Sequence, residues 1–285
     1  MPPYCLTHLT LAIRIKCHDF ATLACLGFAL NVVTVRIFST FFEADLSIQL
    51  PFKWQSVSTG TLASLGFALN VVTILIIEYL QARKGKNSCQ KYLFGCLVPS
   101  WAWKSYTTIR TFTFGAACQQ LTLTANLTKY VIGRLRPHFI DICRPVYNAS
   151  SPLNALGYIQ EYTCEFPEDP RLKSARLSFP SAHSSFGMYA AVFFILYIQV
   201  KGKWRGTKLL RHAVQFFILL AAWYVGLTRV VEHFHHWSDV TVGYINGAIY
   251  GCMVYVILIV KKYRASTANK PPCGLAEDEL ELIVI

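Results

Sequence analysis

Two stretches of this chain run without a charge for about the thickness of a membrane. Residues 240–260 (VTVGYINGAIYGCMVYVILIV) hold 21 uncharged residues, and 56–77 (SVSTGTLASLGFALNVVTILII) hold 22. Roughly 20 such residues cross the hydrocarbon core of a bilayer as a helix. Weaker runs obey the same rule at 20–35, 111–128, 183–200 and 212–228, which brings the expected crossings to six. Composition agrees: 54% of the 285 residues are hydrophobic and 15% charged, against about a quarter charged in an ordinary soluble domain. The expectation is an all-α, polytopic membrane protein.

The net charge of +12 would suit a nucleic-acid binder if it were spread over one face, but its distribution describes a topology instead. Arg83, Lys84, Lys86, Lys91 and Lys104 fall between the second and third runs. Lys201, Lys203, Arg205, Lys208 and Arg211 fall between the fourth and fifth with no acid among them, and Lys261, Lys262 and Arg264 follow the sixth. Basic residues collect on the cytoplasmic side. These segments therefore face inward, and both termini with them, leaving loops 36–55, 129–182 and 229–239 outside or in a lumen. Residues 1–19 include Arg14, Lys16 and Asp19 and do not read as a cleavable signal.

In the long outer loop, Asn148-Ala-Ser150 is a glycosylation sequon. Cys143 and Cys164 are that loop's two cysteines, and an oxidising compartment would let them pair. A near-duplicate, LACLGFALNVVTV at 23–35 and LASLGFALNVVTI at 62–74, occurs twice only, short of a solenoid. Two consecutive spans would also cross in opposite directions, so duplication within the gene explains the pair better than function does.

Three further stretches carry chemistry. In KYVIGRLRP (129–137), Lys129 and Arg136 are seven residues apart, two helical turns, which puts them on one face if the helix continues. Pro137 then stops it. Two cations there make half a phosphate clamp; the plainer alternative is snorkelling toward lipid headgroups, the role that fits Arg134. In FPSAHSSF (179–186), Ser181 is a helix cap, and the free N–H groups of the first turn form an anion site beside His183. In TRVVEHFHHWSD (228–239), His235 and Asp239 are spaced i, i+4, which puts them on one face if the helix has started. A carboxylate on one imidazole nitrogen leaves the other basic and aimed. Zinc is disfavoured because His233, His235 and His236 cannot converge from one helix, and no i, i+4 histidine pair occurs. A Ser-His-Asp hydrolase through Ser181 lacks the G-x-S-x-G elbow.

Together the three stretches resemble the signature motifs of the type 2 phosphatidic acid phosphatase superfamily, in its lipid phosphate phosphatase branch: K-x6-R-P at Lys129, Arg136 and Pro137; P-S-G-H at Pro180, Ser181 and His183; S-R-x5-H-x3-D at Arg229, His235 and Asp239. IGRLRPHF, SSFGMY and HHWSDV also read like that branch, and the likeness covers roughly 50–262. Two positions depart from it. Ala182 replaces Gly, which would strain a left-handed backbone, and Thr228 replaces Ser but keeps the hydroxyl. The implied organisation is an N-terminal region with a weak first helix (1–50), a phosphatase transmembrane domain (51–262) and a cytoplasmic tail (263–285).

The resemblance implies metal- and cofactor-independent hydrolysis of lipid phosphomonoesters (phosphatidic acid, lysophosphatidic acid, ceramide 1-phosphate, sphingosine 1-phosphate). His235, His183 and Asp239 would be catalytic, and Lys129, Arg136, Arg229 and Ser181 would bind phosphate. The site would lie at the outer face of the plasma membrane or in an endomembrane lumen. A noncatalytic lipid-phosphate-binding scaffold is the alternative. A transporter would favour charges at mid-membrane; Arg110 near the inner end of helix three is the one candidate. The partners are the lipid substrate and the bilayer, not nucleic acid. A homo-oligomer is compatible with the sequence. The tail EDELELIVI (277–285) has the residues of a sorting signal, though a frayed end fits it better.

Overall fold

In a computed structural model, which describes residues 40–84, 91–93, 96–123, 125–202 and 208–256, the long apolar runs are helices. Three of them among the described residues are long and apolar enough to cross a bilayer: Thr59–Arg83, Ala182–Lys201 and Leu209–Val231. They are the bodies of α1 (Thr59–Lys84), α6 (Ala182–Lys201) and α7 (Lys208–Val231). The run at 240–260 begins within α8 (Trp237–Met253). The run at 111–128 is not one regular helix: α2 (Ser100–Ala117) passes into a π-helical turn at Cys118–Leu123, and α3 (Ala125–Ile132) follows. The span expected at 20–35, the first repeat copy, the end of the 240–260 run and the tail lie outside the described residues.

Among the described residues, large apolar side chains on α1 and α7 are open to the outside: Leu65, Val72 and Ile76, and Phe216, Phe217, Trp223 and Tyr224, are each more than half exposed. In water such rows would be an association surface; against lipid tails they cost nothing. By contrast α6 is enclosed. Tyr189, Phe193 and Tyr197 are buried along it and pack with Phe112 and Ile74, and the Tyr189 hydroxyl donates to the Phe112 carbonyl at 2.7 Å.

Close approach of α6 and α8 depends on glycines. A Cβ added at Gly243 would stand 2.7 Å from the Ser181 carbonyl oxygen, and one at Gly247 2.2 Å from that of Ser185. Small residues every fourth position are how membrane helices bring their backbones together. Here that spacing sets the start of α6 beside the start of α8.

At the other end of the bundle, α1 outlasts its apolar run. Glu78 is buried, accepts from the Tyr197 hydroxyl at 3.0 Å and pairs with Lys201 Nζ at 3.1 Å. This buried ion pair was not expected from the sequence, where only Arg110 stood out. A charge among apolar helices needs such a partner to be tolerated.

The loops expected on one side of the membrane meet. β1 (Phe41–Phe42) pairs antiparallel with β5 (Tyr158–Ile159), and β4 (Pro145–Val146) with β6 (Thr163–Cys164). Between them sit α4 (Phe139–Cys143) and α5 (Pro170–Ala175). Phe41, Ile48, Leu135, Phe139, Ile159 and Leu172 form their small core, so residues 40–50 belong with this loop structure. Cys143 and Cys164 are joined by a disulfide. Asn148 is exposed in a turn, its Oδ1 accepting from Ser150 N at 3.0 Å. A separate hairpin pairs β2 (Lys91–Leu93) with β3 (Cys96–Val98).

Candidate active site

The first arm departs from the sequence expectation. α3 ends at Ile132, and Gly133, at φ 59°, closes it by donating to the Lys129 carbonyl at 2.9 Å, the usual αL cap. Lys129 and Arg136 therefore do not share a helix face. Residues 134–136 instead run extended alongside 175–178, held by Arg136 N to Ala175 O at 2.8 Å and Ser178 N to Arg134 O at 2.9 Å. Arg136 reaches the site from this arm, and so does Arg134. The latter is no snorkeller: its Nη1 lies 2.6 Å from Asp239 Oδ1 and 2.7 Å from Ser238 Oγ.

The second arm is the start of α6. Ser181 is its N-cap, the hydroxyl accepting from Ser184 N at 3.4 Å and from the Ser184 hydroxyl at 3.0 Å, while its own N–H donates to the Asp239 carbonyl at 3.1 Å. Ser181 is fully buried and stands behind the cavity wall rather than on it. Ala182 and His183 follow on the wall. Arg144 and His233 are the non-glycine residues with positive φ among those described; Ala182 is not one of them. It is the first helical residue, so the methyl that replaces the family glycine carries no backbone strain.

The third arm separates its histidines. His233 Nδ1 donates to the Pro51 carbonyl at 2.8 Å, and His236 Nε2 to that of Leu135 at 3.1 Å. His235 alone enters the cavity, with Nδ1 3.9 Å from Asp239 Oδ2. That is too long for a hydrogen bond, and the two residues are not on one helix face. α8 starts at Trp237, His236 is its cap, and Asp239 accepts from His236 N at 3.1 Å. Asp239 also accepts from the Ser178 hydroxyl at 2.5 Å. Burial alone would raise its pKa, but His235, Ser178 and the Arg134 charge hold it down to about 2. Burial lowers that of His235 to about 3, against the pull of Asp239 and with Arg136 and Lys129 adding to it. The ring is thus neutral at physiological pH.

Lys129, Arg136, His183, Arg229 and His235 line a single cavity of about 780 Å³. Its lining also includes apolar side chains: Leu62, Ala63 and Phe67 from α1, Ala116 and Ala117 from α2, and Phe186 from α6. Arg229 is almost wholly buried. Its Nε and Nη2 approach the Thr228 hydroxyl at 3.3 Å, so the Ser-to-Thr departure keeps the group that matters, and Nη2 lies 2.7 Å from Glu232 Oε2. Among the guanidinium groups on the cavity lining, Arg136 Nε and Arg229 Nη1 are buried with no hydrogen-bond partner among the described residues. Burial lowers the Arg136 pKa to about 10, with Arg229 reinforcing and Asp239 opposing, so it stays charged at neutral pH. Buried guanidinium donors beside a cavity are suited to hold an anion.

Several residues here were not singled out from the sequence. Phe234 lies under both guanidiniums, 5.4 Å from that of Arg136 and 5.8 Å from that of Arg229. Residues 51–59 close the cavity from above: Phe52 meets His138 and Phe234 edge-on, Ser56 N donates to Glu232 Oε1 at 2.8 Å, and Thr59 Oγ1 lies 3.4 Å from His183 Nε2. The one signal the sequence offered was the glycine repeat Gly243, Gly247, Gly251 in α8, which marks the helix seam at the site. The contacts of 51–59 are long-range and leave no local pattern.

The profile of the PAP2 superfamily matches residues 109–263, a span that contains all three arms. Similar curated proteins include a putative phosphatidate phosphatase of Drosophila melanogaster, 37% identical over 244 residues, covering 81% of this chain and 62% of that protein. Phospholipid phosphatase 2 of Mus musculus is 45% identical over 175 residues (61% of this chain, 59% of that protein), and that of Homo sapiens 46% over 178 (62% and 58%). The chain thus spans about three fifths of the length of the curated relatives it matches. No solved structure gives a significant match. With more than half of the sequence inside the matched span and the three arms converging on one cavity, the chain belongs to the PAP2 superfamily.

Proposed function

We propose that this protein hydrolyses the phosphomonoester of a membrane lipid through a phosphohistidine. The observation that carries the reading is the mixed lining of one cavity: arginine donors without partners together with apolar side chains from three helices. A molecule that fits both has a phosphate and a tail. The names of the similar phosphatidate and phospholipid phosphatases point the same way.

In this mechanism, Nε2 of His235 attacks phosphorus while the ester P–O bond breaks, and His183 gives its proton to the departing alkoxide. His183 then takes a proton from water, which attacks phosphorus; the N–P bond breaks and inorganic phosphate leaves. Lys129, Arg136 and Arg229 hold the phosphoryl oxygens and stabilise the charge spread over them in the transition state. Asp239 supports the positive charge that His235 acquires, closing its 3.9 Å gap as it does so, since catalytic hydrogen bonds often tighten only in complexes. Ser181 acts through the helix start it caps, which fixes His183.

The same reading keeps the topology of six spans with both termini cytoplasmic, the site at the outer or luminal face, and a glycan at Asn148. Phosphatidic acid, lysophosphatidic acid, ceramide 1-phosphate and sphingosine 1-phosphate are the substrate class; the cavity does not rank them. The test is phosphate release from phosphatidic acid by the purified full chain in EDTA, with and without vanadate, alongside His235→Ala. Vanadate-sensitive turnover that the substitution abolishes is expected; near-normal turnover in His235→Ala would overturn the mechanism, and an inert wild-type chain would favour the scaffold.

A further inference from the structure

The carboxylate that supports His235 is itself gripped by a residue outside the three motifs. Asp239 is completely buried, and each of its oxygens is committed. Oδ1 takes Arg134 Nη1 at 2.6 Å. Oδ2 takes the Ser178 hydroxyl at 2.5 Å and His236 N at 3.1 Å, and faces His235 Nδ1 at 3.9 Å. A carboxylate held only through Oδ2 can turn about its Cβ–Cγ bond. One held at both oxygens cannot. Arg134 is itself steadied by Ser238 Oγ at 2.7 Å, and its backbone carbonyl accepts from Ser178 N at 2.9 Å, so both side chains that grip Asp239 come from the same pair of extended segments.

We infer that Arg134 is a positioning residue of the hydrolytic centre, fixing Oδ1 of Asp239 so that Oδ2 is presented to Nδ1 of His235. This rests on the proposed function above. Arg134 is not on the cavity wall, so it acts through Asp239 and not on phosphate. The short arm 129–136 therefore has two duties: Lys129 and Arg136 face the anion, while Arg134 reaches behind them to the carboxylate.

The ion pair also divides the charge of Asp239. His235 faces Asp239 from α8, and it shares the cavity lining with Lys129 and Arg136 from the first arm, His138 from the following turn, Arg171 from α5, His183 from α6 and Arg229 from α7. Lys129 and Arg136 disfavour a proton on the ring, and Asp239 favours one. Take Arg134 away and Asp239 acts on His235 without competition. The ring then holds its proton to higher pH and is a poorer nucleophile in acid.

The experiment compares wild type, Arg134→Met, Arg134→Gln and Arg134→Lys in phosphate release from phosphatidic acid across pH, per unit of folded protein. Arg134→Met should lose about 10- to 100-fold in kcat, the range typical when an orienting partner is removed, with KM little changed. The acid limb of its kcat/KM profile should move to higher pH. Lys, which restores the charge and one bond, should recover most of the activity and return the limb; Gln should recover less and leave it shifted. If Arg134→Met does not fold, Gln against Lys decides alone. An unmoved acid limb, or equal activity per folded molecule in all the variants, would overturn the inference. An inactive wild type would instead strike the proposed function.

Discussion

Glu232 clasps Arg229 one turn back along α7: Oε2 lies 2.7 Å from Nη2, while Oε1 accepts from Ser56 N at 2.8 Å. An arginine on the cavity lining is thereby tied to segment 51–59, which lines the same cavity. Removing one partner of such a buried pair leaves the other uncompensated. Glu232→Ala should therefore cost about 1–3 kcal/mol, roughly tenfold in kcat/KM, felt mainly as a raised KM because Arg229 is freed rather than lost. Steady-state kinetics on vesicles of constant lipid composition would show it; an unchanged KM would contradict it.

Restoring the family glycine should bring no gain. Ala182 is the first residue of α6 and has no positive φ, so glycine relieves nothing and adds backbone freedom worth up to about 1 kcal/mol. Ala182→Gly is expected to match wild type in kcat/KM and to melt at the same or a slightly lower temperature. A clear rise in turnover would show that the methyl obstructs the site.

The disulfide should matter for the outer structure more than for the bundle. Cys143 and Cys164 close a loop with a sequence separation of 21, for which chain entropy gives about 3 kcal/mol. Reductant should lower the apparent melting temperature of wild type in detergent, whereas the Cys143→Ala, Cys164→Ala protein should start lower and not respond. A wild-type transition indifferent to reductant would argue that the bond contributes nothing.

Acid should loosen the fold well before carboxylates titrate. Burial lowers His235 to about 3 and His138 to about 4, the latter with help from Arg136, and it lowers His236 too. A free imidazole titrates near 6.5. Between that value and the lowered ones the unfolded chain binds more protons than the folded chain, so this stability is fully present above about pH 6.5 and is lost as pH falls toward 4. Apparent melting temperature at a fixed scan rate should drop between pH 7 and pH 5, and His138→Gln should flatten part of the drop. A flat profile would contradict it.

How much of this was legible in the sequence differs by kind of interaction. Charge-free length announced α1 and α7 because crossing a bilayer demands it. The motifs announced which side chains meet, since Lys129, Arg136, His183, Arg229 and His235 do share one cavity. What failed was geometry within each arm. Helical periodicity was extended through Gly133, where a left-handed residue ends α3, and so Arg134 was sent to the lipid surface when it belongs with Asp239. The same assumption put His235 and Asp239 on one helix face, whereas α8 begins only after His235. Ser56, Thr59 and Phe52 were invisible for another reason: their partners lie far away along the chain, and no local spacing encodes that.

Phe234 has one more consequence. Its ring lies beneath two guanidiniums that repel each other, and attraction of a cation to an aromatic face offsets only part of that repulsion. The fold thus holds two like charges together against their repulsion. On the proposed reading, a dianion between the two arginines would offset what remains of it, so added phosphate should make the protein stiffer and hardier.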